Sequence, residues 1–312
     1  MSTPKRDIRN IACVGEVMIE LIAQDNGRAI LGVAGDTYNT AVYLARKLRA
    51  TGKQVSYVTA LGTDPYSDRI IRAIENHGVR TAHIERRAEL LPGLYAIDTD
   101  IQGERSFSYW RSNSAARTLF TEPCEISLAS LDTFDLVFLS GITMAILPAD
   151  IRGRLINWID EFRSKGGTIA YDSNHRPRLW ESVDVARQTN AAMWARTDIA
   201  LPSLDDEMLL FEDLNSSAVV ARLRKLGVRR GALKQGAEGP LILSDQRVLT
   251  DLPAVDRVVD TTAAGDSFNA GYLSAVTLDL DEQTAAKTGH QLAAQVIQHP
   301  GAIIPEQAMI QH

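Results

Sequence analysis

The sequence predicts an α/β protein: a largely parallel sheet with helices on both faces, to which a small accessory sheet is attached. Short apolar runs recur along the chain with helical patterns between them, as buried parallel strands and their crossover helices do. Two other stretches alternate apolar and polar residues with a period of two, the pattern of strands covered on one face. With 312 residues, 45% of them hydrophobic, the chain can bury roughly three quarters of its unfolded surface without staples. That length exceeds the usual ~100–200 residues of a domain, so one large domain with an attachment, or two domains, is expected.

Ile11-Ala-Cys-Val-Gly15 is the first strand, a short apolar run ending in glycine. Val17, Ile19 and Leu21 then alternate with Met18 and Glu20, which opens the accessory sheet. A helix beginning at Thr37 follows, because Ala41, Val42, Leu44, Ala45 and Leu48 share one face; Asp36 stands where it could cap that helix. Residues 55–61 read as a buried strand. Over residues 94–111 two alternating runs flank the turn-like Asp100-Ile-Gln-Gly103 and return the chain to the accessory sheet. Further strands are expected at residues 134–140, 168–172, 199–202, 231–234 and 241–244, with helical patterns between most of them. Open sheets of this kind bind ligands beyond the carboxyl ends of their strands, so the residues just after these runs are the ones to inspect.

Lysine and arginine total 33 against 39 acidic residues, a net charge of −6, which disfavours a general binder of nucleic acid or anionic membrane. Cys13 and Cys124 form no CxxC pattern and the six histidines show no metal-ligand spacing, so buried reduced thiols and no thiolate zinc site are expected. No segment approaches the ~20 apolar residues of a membrane span. A soluble, cytoplasmic protein is the expectation.

The most informative segment is DTTAAGD at residues 260–266, followed by Ser267 and a helix-like stretch with Phe268, Tyr272, Leu273 and Val276 at helical spacing. Asp266 or Ser267 would cap that helix. Ala263, Ala264 and Gly265 are small enough for their N–H groups to approach an anion, and the following helix dipole adds to the attraction. Asp266 could orient a substrate hydroxyl beside a bound phosphate and accept its proton. The same residues equally suit an ordinary small-residue turn with an aspartate cap, and spacing alone does not choose. G-x-x-x-x-G-K-[ST], G-x-G-x-x-G after the first strand, G-x-S-x-G and H-E-x-x-H are all absent.

DTTAAGDSFNAG resembles the C-terminal signature of the ribokinase-like (PfkB) carbohydrate kinases, and Ala34-Gly35-Asp36-Thr37-Tyr38-Asn39-Thr40-Ala41 is similar to their N-terminal G-G-x-x-x-N-x-A element. The likeness covers essentially the whole chain and is nearest the 2-keto-3-deoxygluconate kinase branch, through GDTYNTAVYLAR, VTALGTD, LPGLYAIDTD, YWR, DSNHRPRLW, VVDTTAAGDSF and GAIIP. It implies a single ribokinase-like domain over residues 1–312, a three-layer α/β/α unit whose lid comes from about residues 17–34 and 92–114. The implied activity is transfer of the γ-phosphoryl group of ATP to the 6-hydroxyl of 2-keto-3-deoxygluconate, with Mg²⁺ and a monovalent cation such as K⁺. Asp266 is then the catalytic base, and the N–H groups of Ala263, Ala264, Gly265 and Asp266 form the anion hole. Lys234, Gly236 and Gly239 of KQGAEG would lie along the nucleotide. Asp260 and Thr262, with the loop around Gly301, match where related enzymes hold a monovalent cation.

The same resemblance puts Tyr95, Tyr109, Arg111 and Arg176 around the keto-acid end of the substrate, with Gly35 and Asp36 on the sugar hydroxyls. The residue pattern agrees: Tyr109 and Arg111 are two apart and share a strand face, and Tyr95 can be brought opposite by the hairpin. Arg176 follows the buried run ending at Asp172, at the ligand-binding edge. A guanidinium grips a carboxylate through paired charge-assisted bonds, which a neutral hexose cannot supply. Asn174 and Arg178, in the same loop, are assigned to loop shape before contact. Two departures from the family pattern stand out. Ala34 replaces the first glycine of the G-G pair, and the N-x-x-E element that helps organise magnesium appears as Ser203-Leu-Asp-Asp206 with Glu207 beside it. The rival readings are a kinase of the same fold acting on fructose or another neutral sugar, and a non-catalytic sugar-acid sensor. An exposed lid face would suit a homo-oligomer, a dimer or larger.

Overall fold

In the computed structural model, which describes residues 4–24, 27–99, 105–252, 255 and 257–309, the chain opens with β1 (Asn10–Val14), buried from Ile11 onward. The expected turn at residues 100–103 lies outside the described residues. Two strands of the accessory sheet follow, β2 (Met18–Ala23) and β3 (Ala29–Ala34), and then α1 (Asp36–Leu48). The chain returns to the core as β4 (Gln54–Leu61), crosses through α2 (Pro65–Asn76) and adds β5 (Arg80–Arg86). It then makes the second accessory pair, β6 (Gly93–Thr99) and β7 (Arg105–Trp110).

The second half alternates more regularly. β8 (Leu136–Ser140) leads into the short α3 (Gly141–Ile146) and the long α4 (Ala149–Ser164), and β9 (Thr168–Asp172) into α5 (Val183–Trp194). β10 (Ile199–Ala200), α6 (Leu204–Phe211), α7 (Ser216–Lys225) and the small ribbon β11 (Ala232–Leu233) with β12 (Leu241–Ile242) come next. The chain closes on two packed helices, α8 (Ala264–Thr277) and α9 (Glu282–Val296).

The central sheet has the order β10-β9-β8-β1-β4-β5 and every pairing in it is parallel. One face is covered by apolar residues of α1, α2, α8 and α9, the other by those of α4, α5, α6 and α7, which makes three layers. The accessory sheet has the order β3-β2-β6-β7, with β2 and β6 parallel and the outer pairs antiparallel. The strand at residues 80–86 has no counterpart in the sequence reading. It lies at the sheet edge with Arg80 and Arg86 exposed, so its pattern carries no buried run. Cys13 is buried as expected, whereas Cys124 is partly exposed; both are free thiols. Among the described residues no helix is long and apolar enough to cross a membrane.

One packing detail fixes the helix that carries the DTTAAGD segment. A Cβ at Gly271 of α8 would lie 2.7 Å from the Thr288 carbonyl oxygen and 2.8 Å from the Gly289 Cα of α9, so the two backbones touch where neither has a side chain. Gly271→Ala should therefore push α9 away and lower stability by about 1–3 kcal/mol, the cost of overpacking a tight contact. Denaturant unfolding of the variant checks this.

Candidate active site

A cavity of about 1490 Å³ opens beyond the carboxyl ends of the central strands, between them and the accessory sheet. It brings together Gly35 and Asp36 at the start of α1, Tyr95 and Tyr109 from the accessory sheet with Arg111 just past it, Arg176, Ser203 and Lys234 from the segments after β9, β10 and β11, and Asp206 from the first turn of α6. Thr262, Ala263, Ala264, Gly265 and Asp266 close its base. Gly236, Gly239 and Asp260 are not among its lining residues. Gly236 and Gly239 take left-handed φ values of 58° and 86° in the turn after β11, and a Cβ on Gly239 would meet the Leu249 carbonyl oxygen at 2.2 Å.

The start of α8 differs from the expected cap. Its N-cap is Ala263, in the left-handed conformation at φ 61°, and neither Asp266 nor Ser267 caps. The Ser267 hydroxyl donates to the Ala263 carbonyl at 2.7 Å, and Asp266 sits within the first helical turn. A helix leaves its first N–H groups without helical partners. Here the Ala264 N–H is taken by the Thr261 carbonyl at 3.1 Å, while those of Ala263, Gly265 and Asp266 have no partner among the described residues. The expected four-amide cradle is therefore reduced to three available donors.

Asp266 is held from α1. Asn39 Nδ2 donates to its Oδ2 at 2.8 Å and the Thr40 hydroxyl donates to its carbonyl at 3.1 Å. Its carboxyl is pushed up to about 8, chiefly by burial in the cleft and then by the Asp36 and Asp172 charges, against the opposing pull of Asn39 and Lys234. Asp36, expected as a possible helix cap, makes no such bond: Gly35 is the N-cap, and Asp36 Oδ2 accepts from Asn174 Nδ2 at 2.9 Å. Gly35 has no room for a side chain, since a Cβ there would lie 2.3 Å from the Glu16 carbonyl oxygen. Asn174, first assigned to loop shape, thus serves both ends: its own φ is 28°, and its amide orients Asp36.

Lys234 reaches the start of α8 from below. Its ammonium donates to Asp172 Oδ2 at 2.6 Å and to Asn269 Oδ1 at 3.0 Å, and Asn269 Nδ2 donates to the same Asp172 oxygen at 2.7 Å. A Cβ on Gly265 would be only 3.6 Å from that ammonium. The cation is therefore fixed beneath the open turn of α8, where a bound anion would meet it.

On the opposite wall, Tyr95 and Tyr109 are register partners, as the hairpin requires, and their rings stack at 5.8 Å. The Tyr95 hydroxyl donates to buried Glu20; burial and that carboxylate hold the phenol far above its usual range. Arg111 is buried, lies 5.9 Å from the Tyr109 ring centroid, and donates through Nη2 to Glu16. Arg176 is more open, its side chain 52% exposed, and pairs at 3.5 Å with Asp206. Both predicted carboxylate-binding arginines thus already have acidic neighbours.

The acids of residues 205–207 separate by their geometry. Asp205 and Asp206 line the cavity, whereas Glu207 is buried away from it and accepts from Arg222 Nη2 at 2.7 Å. Asp260 accepts the N–H groups of Thr262 at 2.9 Å and Gly301 at 2.7 Å, so it staples the loop before α8 to the loop after α9. Sequence reasoning missed Glu16, Asn39, Asp172 and Asn269. Asp172 ends a buried strand, Asn39 stands in the GDTYN motif and Asn269 in DTTAAGDSFNAG, so all three carried a usable signal; Glu16 matters only through the side chains that folding brings to it.

A family model described as pfkB family carbohydrate kinase matches residues 8–309. The 2-dehydro-3-deoxygluconokinase of Dickeya dadantii is 44% identical over 306 residues, covering 96% of this chain and 98% of that protein. The Escherichia coli K12 protein of the same name is 42% identical, covering 96% and 99%, and that of Haemophilus influenzae is 38% identical, covering 97% and 98%. Among solved structures, a PfkB protein from Polaromonas sp. JS666 superposes with a TM-score of 0.80 at 24% identity, covering 94% of this chain and 96% of that one. Fructokinase from Xylella fastidiosa gives 0.81 at 22%, covering 96% and 95%.

The Asp266 carboxyl should titrate near 8, well above the ordinary 3.8. Its ionised form is disfavoured in the folded chain, so this residue's contribution to stability falls as pH rises from about 3.8 towards 8. Asp36→Asn removes the second-largest cause and should lower the value. A carboxyl-resolved NMR titration of both proteins measures it.

Proposed function

The chain belongs to the pfkB family of carbohydrate kinases, and from that premise we propose that it transfers the γ-phosphoryl group of ATP to the 6-hydroxyl of 2-keto-3-deoxygluconate. The observation that carries the reading is one cavity with Asp266 beside unpartnered amides on one wall and Arg111 with two tyrosines on the other. The near-full-length relatives at 38–44% identity support the keto-acid assignment over a neutral sugar.

The substrate hydroxyl is placed against Asp266, which Asn39 holds still, and its proton passes to that carboxylate as the new oxygen–phosphorus bond forms and the bond from the γ-phosphorus to its bridging oxygen breaks, releasing ADP. The amides of Ala263, Gly265 and Asp266 receive the charge of the transferring phosphoryl group, with Lys234 beneath them. Gly35 and Asp36 meet the sugar hydroxyls, and Tyr95, Tyr109, Arg111 and Arg176 surround the carboxylate end. Residues 231–239 and Ser203 flank the nucleotide. Among the described residues there is no cluster of three or more metal-ligating side chains. That suits Mg²⁺, which keeps several waters and binds through one or two carboxylates plus substrate phosphates. Asp205 and Asp206 are the acids that fit its waters, and when bound it supplies charge neutralisation at the phosphates. The accessory sheet acts as the lid, and its closure excludes water that would otherwise hydrolyse ATP.

ADP release should be fast with 2-keto-3-deoxygluconate and weak with fructose, ribose and gluconate; preference for a neutral sugar would overturn the assignment. Asp266→Asn should lower kcat by about 10²–10⁴-fold while substrate still binds, the usual contribution of a positioned base. Because only ionised Asp266 accepts a proton, kcat/KM should rise with pH and level off above about 8.

A further inference from the structure

We infer that Glu16 is the positioning residue that makes Arg111 a receptor for the substrate carboxylate. The inference rests on the reading given under Proposed function and extends it to a side chain outside the cavity lining.

Glu16 follows β1, at the carboxyl edge of the central sheet, and is 1% exposed. One of its oxygens accepts from Arg111 Nη2 and the other from the Ser114 hydroxyl, so both are engaged by the segment leaving the accessory sheet. Its backbone is equally fixed, because its carbonyl packs against Gly35 with no space for a Cβ. Gly93 on the neighbouring strand leaves room for the carboxylate: a Cβ there would lie 2.8 Å from Glu16 Oε1 and 3.2 Å from Arg111 Cβ. Two glycine backbones therefore close around the acid that Arg111 and Ser114 engage.

A buried ion pair on its own contributes little net stability, since desolvation offsets the attraction. This one forms part of a cavity wall, and it is incomplete: Arg111 Nε is buried without a hydrogen-bond partner. Glu16 takes Nη2 of the guanidinium and Tyr109 lies near its face, which orients the arginine at the wall of that cavity. A ligand carboxylate is the acceptor that completes such a site. Glu16 thus fixes the direction of Arg111 before substrate arrives and reduces the ordering required on binding.

The test is steady-state kinetics at saturating Mg-ATP with the keto acid and with its carboxamide, which keeps the shape and lacks the charge. Wild type, Glu16→Ala, Glu16→Gln, Arg111→Leu and the Glu16→Ala/Arg111→Leu double variant are compared. Glu16→Ala should raise KM for the keto acid about tenfold or more, roughly 1.4 kcal/mol per tenfold, with a smaller effect on the carboxamide and on kcat. Glu16→Gln, which can still accept from Arg111, should recover part of the loss. The double variant should bind the keto acid no worse than Arg111→Leu alone, because an effect exerted through Arg111 is non-additive with its removal. Additive losses, or equal losses on acid and amide, would overturn the inference. Should Glu16→Ala fail to fold, Glu16→Gln decides: a KM increase on the acid alone supports the role, and no change or a parallel change on both compounds removes it. Wild-type protein that turns over neither compound would instead refute the kinase reading.

Discussion

The left-handed turn at Ala263 is the constraint on which the cavity depends. It ends the loop that Asp260 staples and lets α8 start immediately afterwards, with amides of its first turn unspent and Asp266 inside that turn. An alanine can occupy this conformation only at a cost, so the surroundings must hold it there. They do so from three directions. Asn39 and Thr40 bond Asp266 from α1, Lys234 and Asn269 meet under Gly265, and α9 packs backbone to backbone against Gly271.

Charge in the cavity follows from the same arrangement. Asp36, Asp172, Asp206 and Asp266 all line it, and the lysine and arginines nearest them are engaged: Lys234 with Asp172, Arg176 with Asp206, Arg111 with buried Glu16. Internal pairing keeps these groups ordered without ligand, and among the described residues it leaves the amides of Ala263, Gly265 and Asp266 without partners. Burial, and after it the crowded acids, push the Asp266 carboxyl up to about 8. The overall charge of −6 concealed this local pattern.

Much of the architecture was legible because buried parallel strands announce themselves as apolar runs. Residues 55–61 and 168–172 fall on β4 and β9 almost to the residue. The Tyr95–Tyr109 register followed from strand alternation and a hairpin. Legibility failed where partners are distant in sequence. Small residues between 263 and 265 signal close approach, but not that α8 begins at Ala264 or that Asp266 escapes a capping role. Asp36 looked like a cap because capping is local; its actual partner, Asn174, comes from the loop after β9, 138 residues further along the chain. Glu207 seemed as good an acid as Asp206 until α6 turned it towards Arg222. The edge strand at residues 80–86 was hidden by its own charges.

The most direct test of transfer from ATP to the hydroxyl held by Asp266 is the position of the phosphate in the product. Single-turnover reaction with 2-keto-3-deoxygluconate, followed by phosphorus–proton correlation NMR, predicts one new phosphate ester coupled to the protons on carbon 6, formed in step with ADP. Inorganic phosphate as the sole phosphorus product, or an ester at another carbon, would contradict it.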